Sequence, residues 1–227
     1  HPTRGSMSLS EKDGGLPPDD VVSDDDSILA ASEEAVHRHH DRSHGAMVRV
    51  ALAPCSPFSV TESLMVRSAE LAERLDVRLH THFAENSEDD AFSIERFGCR
   101  PTEYLERTGW CTDRTWVAHC VMPNHDEVHR LGRAGIGAAH CPSSNLILSS
   151  GISPVVALRA AGVKVGLGVD GSSSADSAFA ASLASSVSLQ YSSMLTPSAA
   201  AASASRPNDS SSTSFSLPCS EPFSHAS

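Results

Sequence analysis

The sequence predicts an α/β fold with a parallel sheet, either a doubly wound sheet or a (β/α)8 barrel. Short apolar segments alternate with helical patterns from residue 48 to residue 169. This alternation is typical of parallel βαβ units. A histidine or an aspartate closes four of the apolar segments. Five predicted strands would make about five eighths of a barrel, which typically needs ~250 residues. The 227 residues therefore fit a partial barrel.

Hydrophobic periodicity places each element in turn. Short apolar runs predict five strands, over Val48–Ala53, Val77–His82, Thr115–His119, Ile136–His140 and Lys164–Val169. Apolar residues three and four positions apart predict five helices between them, over Thr61–Leu75, Glu88–Phe97, Pro101–Thr108, Asn124–Arg133 and Ser153–Ala161. Pro101 suits a first helical turn, and Gly135 and Gly162 suit helix ends. A short helix from about Asp26 to His40 is expected before the first strand.

Composition divides the chain at Gly171. Residues 1–171 carry the strand–helix alternation and are expected to form a partial barrel domain. Residues 172–227 contain 21 Ser and 11 Ala with only four charged residues. Apart from a short helical pattern over Leu183–Leu195, that composition predicts a low-complexity tail that is disordered or mis-framed. The chain begins with His1 rather than Met, which indicates a fragment.

Charge and cysteine content exclude several classes of partner. A net charge of −11 argues against nucleic acid, because phosphate binding needs a basic face. No membrane-spanning helix is expected, since no run of ~18 apolar residues occurs, and the start shows no signal peptide. Six cysteines without a CxxC pair favour reduced thiols. We expect a cytoplasmic protein with a small-molecule substrate and no nucleic-acid or membrane partner. A homo-oligomer is compatible with these features.

Four polar residues stand at equivalent places in the predicted sheet. His82, His119 and His140 close predicted strands, and Asp170 follows the last one. The carboxyl ends of parallel strands form the active-site edge of α/β folds. Each residue alone would more often be a hydrogen-bonded structural group, but the four together predict a metal and proton-transfer site. Their spacings of 37, 21 and 30 residues are those of βα units.

Two interpretations of the segment around His82 remain open. His80 and His82 lie on one face of a strand and could form a two-histidine metal clip. Alternatively, His82 is one ligand of the strand-end series and Glu85 is a carboxylate in the loop beyond it. The run from residue 37 to residue 40 holds three further histidines, which are either metal ligands or a solvated helix end suited to the helix dipole.

The chemistry of such a site follows from its residue types. A catalytic zinc keeps three or more protein ligands and a water, whose pKa falls towards ~7. One carboxylate beside the metal takes the proton of that water, and a second protonates the leaving side of the substrate. Asp170 and Glu85 suit these two tasks. His119 can polarise or orient the water.

Longer motifs around these residues resemble the amidohydrolase superfamily. The resemblance is strongest to its branch of cytosine, guanine and S-adenosylhomocysteine deaminases, which also holds triazine hydrolases. Residues 1–18, 53–59 and 97–106 are similar to a subgroup acting on 8-oxoguanine-like purines. The similarity covers residues 1 to about 174. Four motifs carry it: His82-Phe-Ala-Glu85, Ala118-His119-Cys120, His140-Cys-Pro-Ser-Ser-Asn145 and Gly168-Val-Asp170-Gly171.

The resemblance implies a metal-dependent (β/α)8 barrel hydrolase that acts on C–N bonds, with about the last five strands of the barrel present in this chain. The metal would be Zn²⁺, with iron as an alternative, held by His82 and Asp170. Asp170 would also act as general base, Glu85 would pass a proton to a ring nitrogen, and His119 would position the attacking water. The reaction would be hydrolytic deamination of a purine-type base by a metal-activated hydroxide, with ammonia leaving.

The resemblance also implies where substrate binds. His140 would lie near the substrate, a purine or triazine-like heterocycle. Asn145 would either contact that substrate or cap a turn.

One departure from the family pattern keeps other functions open. The family's first strand carries a His-x-His pair of metal ligands, and that strand would lie before His1. Two of the four expected ligands are therefore present, and weak zinc binding is expected. The alternatives are a catalytically inactive truncated remnant and a non-enzymatic metal-binding protein that uses the histidines and the acidic stretch over residues 11–34.

Overall fold

A computed structural model describes residues 3–171 of the chain, with side chains from Ser6 onward. The predicted tail over residues 172–227, including Leu183–Leu195, lies outside the described residues. The division of the chain into a barrel domain and a tail therefore stays a prediction.

The described residues form a six-stranded sheet and its connecting helices. The strands are β1 Thr3–Ser6, β2 Ala51–Pro54, β3 Arg78–Phe83, β4 Thr115–His119, β5 Gly137–His140 and β6 Lys164–Leu167. The α-helices are α1 Asp25–His39, α2 Glu62–Leu75, α3 Ser87–Phe97, α4 Pro101–Arg107, α5 His125–Ala134, α6 Pro142–Ile147 and α7 Val155–Ala160, and a 3-10 turn covers Glu11–Asp13.

The order of the strands decides between the two predicted folds. The sheet runs β1-β2-β3-β4-β5-β6, and every neighbouring pair is parallel. A doubly wound sheet reverses its order at a switch point, whereas a barrel keeps the order of the sequence. Right-handed crossovers in a sequential sheet place the connecting helices on one face. The sheet is therefore of the barrel type, and within the described residues β1 and β6 form its open edges.

All five predicted strands are present, and strand β1, helix α6 and the 3-10 turn were not predicted. Strand β1 has the sequence Thr-Arg-Gly-Ser, which is short and has no apolar alternation, and it is held by parallel pairing with β2. Helix α6 begins with Pro142 in its first turn, in a segment whose serines and asparagine are typical of a turn. Strand β3 extends one residue beyond His82, and Asp170 lies three residues beyond the end of β6. The predicted strand ends were therefore wrong by one residue at His82 and by two residues at Val169.

Side-chain caps fix the starts of the main helices. Asp24, Thr61 and Asn86 each accept a hydrogen bond from the backbone N–H three residues on. Asn124 and Glu127 form a reciprocal capping box at the start of α5. Such caps satisfy N–H groups that the helix leaves unpaired, and each contributes about 0.5–2 kcal/mol. These caps set where each helix leaves the strand before it.

The core lies between the sheet and its helices. Alternate strand residues that face the helices are buried, among them Leu52, Leu79, Phe83 and Val117. They pack against buried helix residues, namely Leu64, Leu71, Tyr104, Leu105, Leu131 and Leu158. The opposite face of the sheet lines a cavity of about 540 Å³.

None of the helices within residues 3–171 combines the length and the hydropathy that crossing a bilayer requires.

Gly132→Ala is expected to destabilise the protein, although alanine is intrinsically the better helix former. Gly132 lies inside α5, and a Cβ there would stand 2.0 Å from the carbonyl oxygen of Ala161. Backbone must move to accept it, at a cost of about 1–3 kcal/mol. Urea unfolding would measure the loss. Gly166→Ala is the control, since its Cβ would meet nothing within 4 Å. An unchanged or raised stability of Gly132→Ala would contradict the close packing of α5 on Ala161.

Candidate metal centre

Three predicted site residues come together at the carboxyl ends of the strands. His82, His119 and Asp170 each offer a ligand atom, and these atoms all lie within 4.8 Å of one another. His82 lies on β3 opposite Ala118 of β4, so His119 is its diagonal neighbour. The two imidazole rings stack with centroids 5.3 Å apart. The parallel register therefore forms the pair, and the loop after β6 brings Asp170 to it.

His119 reaches this cluster through an unusual backbone conformation. Strict alternation along β4 would place it on the same side as Val117, which faces the helices. Instead, His119 and Cys120 have φ values of 67° and 51°, in the left-handed region that residues with side chains rarely adopt. Ala84 and Asp170 share this conformation, with φ values of 46° and 57°. Such strained residues cluster at functional sites, where the surrounding structure holds them.

The backbone of Cys55 orients His82. Nδ1 of His82 donates a hydrogen bond to the Cys55 carbonyl oxygen at 2.6 Å, which leaves Nε2 free to bind a metal. The Cys55 Sγ lies 3.9 Å from the same nitrogen. Burial opposes the charged imidazolium, but the interactions with Cys55 and the carboxylate of Asp170 outweigh it and raise the pKa of His82 to about 9.

Two hydrogen bonds hold the carboxylate of Asp170. Ser144 Oγ donates to Oδ2 at 2.6 Å, and the Gly171 N–H donates to Oδ1 at 2.6 Å. Partial burial favours the neutral acid, but these bonds and the two nearby imidazoles lower the pKa of Asp170 below its ordinary value. The lowered pKa keeps the carboxylate ionised at neutral pH, and its side chain is 21% exposed and therefore accessible.

Glu85 lies near Nδ1 of the His119 imidazole, whereas Asp170 lies near Nε2 of the same ring. Its Oε1 lies 3.6 Å from His119 Nδ1 and accepts a hydrogen bond from Ser150 Oγ at 3.2 Å. Its backbone N–H donates to Asp89 Oδ2 at 2.8 Å, which holds the loop after β3. A second carboxylate is thus placed beside the cluster without belonging to the three ligand groups.

The remaining two predicted site residues, Asn145 and His140, are buried. Asn145 is 1% exposed, and its Oδ1 lies 2.9 Å from His119 Nδ1. His140 is buried at the end of β5, where burial lowers its pKa. Neither residue belongs to the group of three donors.

The donor set fits a divalent metal ion. His119 Nε2 is buried without a hydrogen-bond partner and lies 3.9 Å from Asp170 Oδ2. A buried polar atom without a partner is costly unless something binds it. Two imidazoles and a carboxylate are ligands that zinc and similar ions accept. The free nitrogen and the converging donors are the features that a bound ion would satisfy.

The structure favours one of the two interpretations of the segment around His82. His80 Nδ1 bonds the Trp116 carbonyl at 3.1 Å, and its ring stacks on that indole. Burial lowers the pKa of His80 to about 4. His80 does not belong to the group of three donors. The structure therefore favours the interpretation in which His82 is a single ligand of the strand-end series and Glu85 is a carboxylate in the loop beyond it.

The other histidine-rich stretch is a helix end within the described residues. His40 Nδ1 accepts the Val50 N–H at 3.0 Å, and His37 faces Glu33 at 3.7 Å. No group of three metal-type ligands forms there among residues 3–171.

Sequence reasoning did not predict the supporting contacts of three residues, although Ser144 was expected either to contact substrate or to cap a turn. Cys55 orients His82 and Ser144 holds Asp170, while Ser150 bonds Glu85 across 65 residues of sequence. Cys55 follows a strand end, so the strand-end rule could have found it. Nothing local distinguishes Ser150 from other loop serines.

The fold and this cluster define a class of protein, the (β/α)8-type barrels that carry a candidate metal centre at the carboxyl ends of their strands. The chain belongs to the amidohydrolase family, whose sequence profile matches residues 4–207. It is 57% identical over 174 residues to 8-oxoguanine deaminase of Pseudomonas aeruginosa, covering 77% of this chain and 39% of that protein. It is 37% identical to hydroxydechloroatrazine ethylaminohydrolase of Pseudomonas sp., covering 84% and 39%. The chain thus spans about two fifths of these curated relatives.

Solved structures agree with this assignment. The chain superposes with a TM-score of 0.72 and 34% identity on zinc-bound atrazine chlorohydrolase from Arthrobacter aurescens, covering 74% of this chain and 37% of that one. A zinc-bound adenosine deaminase from Xanthomonas campestris gives a TM-score of 0.69 at 29% identity, covering 82% and 42%. The predicted family and the partial barrel fold are confirmed.

Proposed function

We propose that this chain forms part of a metal-dependent hydrolase that deaminates a purine-type base similar to 8-oxoguanine. The observation that carries the proposal is the convergence of His82, His119 and Asp170, with Glu85 beside them. The 57% identity to an 8-oxoguanine deaminase supports the substrate class. The inactive-remnant and general metal-binding alternatives are not favoured, because the donors form one defined site rather than a diffuse set.

Zinc is the proposed ion, and His82 Nε2, His119 Nε2 and an Asp170 oxygen are its proposed ligands from this chain. Relatives in the same family carry zinc in their crystal structures, which supports this choice. A bound divalent ion would lower the pKa of a coordinated water from 15.7 to ≈ 7. His82 must be deprotonated at Nε2 to bind, so ligation has to displace the proton that its raised pKa favours.

Proton transfer falls to the two carboxylates. Asp170 is ionised because its pKa is lowered, and its 21% exposed side chain is accessible to take a proton from water. Glu85, fixed by Ser150 and Asp89, is proposed to donate a proton to a ring nitrogen of the base. Two carboxylates on opposite sides of one imidazole separate the base and acid tasks.

The substrate class and the role of His140 are also part of the proposal. The substrate is a small heterocycle, and the family relatives named above act on purine and triazine compounds according to their names. His140 is proposed to lie near the bound base. A cytoplasmic location remains a prediction.

Zinc binding by the purified 227-residue chain tests the proposal. Wild type is expected to bind one zinc ion weakly, because only three donors converge in this chain, and calorimetric titration measures the affinity. His82→Ala is expected to lower that affinity by about 100-fold or more, because loss of a direct ligand should cost at least the 10–100-fold typical of outer-sphere partners.

His129→Ala is the matched control for this titration. His129 is exposed on α5 and contacts only the His125 ring among the aromatic contacts, so its loss should leave the affinity unchanged. Equal losses in the two variants would indicate diffuse binding by histidines and would reject the defined site.

A further inference from the structure

Asn145 makes a contact with His119 that bears on which nitrogen of the imidazole carries the proton. A neutral imidazole has one N–H and one lone pair, and the hydrogen bond at one nitrogen sets the state of the other. His119 is 1% exposed, so protein groups rather than water determine this choice.

Two side-chain oxygen atoms face His119 Nδ1, and an oxygen of an amide or of a carboxylate accepts hydrogen bonds. Asn145 Oδ1 lies at 2.9 Å, and Glu85 Oε1 lies at 3.6 Å. A lone pair on Nδ1 would be directed at two oxygens, whereas an N–H there donates to Asn145. At the other nitrogen, Nε2 has no hydrogen-bond partner, and the nearest carboxylate oxygen, of Asp170, is 3.9 Å away.

Two main-chain hydrogen bonds fix the backbone of Asn145 beside His119. Its backbone N–H donates to the Cys141 carbonyl at 2.9 Å, and its own carbonyl accepts the Ser150 N–H at 2.8 Å. The side chain is 1% exposed, so it has little room to turn away.

We infer that Asn145 is a positioning residue that holds His119 in its Nδ1–H tautomer and keeps the Nε2 lone pair directed at the ligand cluster. The tautomer itself does not depend on the metal. The consequence for zinc rests on the proposed function: without Asn145, Nε2 would carry a proton part of the time and would bind the ion less well.

Long-range ¹H–¹⁵N spectra of the zinc-free chain measure the tautomer directly. The 227-residue chain is labelled with ¹⁵N-histidine and studied with a chelator present, above the ordinary pKa range of histidine. His119→Gln identifies the signals of His119 among the 12 histidines. The Nδ1–H pattern is expected in wild type. An Nε2–H pattern in wild type would overturn the inference, since the Asn145 amide would then be donating rather than accepting.

Two substitutions separate positioning from packing. Asn145→Ala is expected to lose the Nδ1–H pattern and to bind zinc about tenfold more weakly. Asn145→Asp retains an acceptor oxygen and is expected to restore the Nδ1–H pattern. Asn124→Ala, which removes the cap of α5, is the control for general destabilisation and should leave the His119 pattern unchanged.

The outcomes distinguish this inference from the proposed function. A folded Asn145→Ala chain that keeps the full Nδ1–H pattern would reject Asn145 as its cause. If Asn145→Ala does not fold, the wild-type and Asn145→Asp spectra decide. Failure of the wild-type chain to bind zinc, with the Nδ1–H pattern present, would count against the proposed function and leave the tautomer assignment intact.

Discussion

Under the proposed function, Glu85→Gln is expected to lower the rate of ammonia release from 8-oxoguanine by the zinc-loaded protein by about 10²–10⁴-fold. The amide is nearly the same size as the carboxyl group and can still bond Ser150 Oγ through its oxygen, but it cannot give up and recover a proton. Because Glu85 lies outside the group of three ligands, the zinc affinity should not change. Ammonia release coupled to a dehydrogenase would measure the rate, and calorimetry would measure the affinity.

Glu88→Gln is the matched control for this experiment. Glu88 lies three residues further on, is exposed in the first turn of α3 and contacts Ser87. The same chemical change there should leave the rate unaltered. A Glu85→Gln protein that releases ammonia at the wild-type rate would show that another group carries the proton, and a joint loss of zinc would reassign Glu85 to the metal.

Trp110→Ala is expected to lower the free energy of unfolding by about 3–5 kcal/mol. Trp110 is fully buried between the end of α4 and α2, and its indole Nε1 donates to the Met65 carbonyl at 2.9 Å. Truncation leaves a large cavity and a buried carbonyl without that partner, and both effects destabilise the fold. Urea unfolding followed by circular dichroism would give the free energy.

Trp116→Ala serves as the comparison for this effect. Trp116 is only partly buried, on the face of the sheet that lines the cavity, where it stacks on His80. Its loss removes less apolar surface from water, so a smaller loss of stability is expected than for Trp110→Ala. If the two losses were equal, the assignment of the core to the helix side of the sheet would be wrong.

Local sequence patterns were sufficient for much of this molecule. The apolar periods placed five strands and the helices between them, because residues two or three to four apart decide which face a segment buries. Strand β1 was not predicted, because its four residues have no apolar alternation. They form a strand only by pairing with β2, almost fifty residues further along the chain. Helix α6 was not predicted either, because its serines and asparagine are also typical of a turn.

Part of the candidate site could also be predicted from local sequence patterns, and part could not. The strand-end rule and the motifs identified His82, His119 and Asp170 as neighbours, and the structure brings them together. The positive φ of His119 could not be predicted, because alternation along β4 directs that side chain to the helices. The contact of Asn145 with His119 joins residues 26 positions apart.

The sequence by itself therefore determined the alternation of strands and helices and the residue types available for metal and proton chemistry, since these depend on short-range spacing. The family followed from the resemblance of its motifs to known proteins. Local patterns alone left a doubly wound sheet open, and the tertiary structure shows the sequential strand order that excludes it. The tertiary structure also decided the hydrogen bonds of Cys55, Ser144 and Asn145 to the three ligand groups. Those features depend on which distant segments meet, and the packing of helices against a twisted parallel sheet sets that.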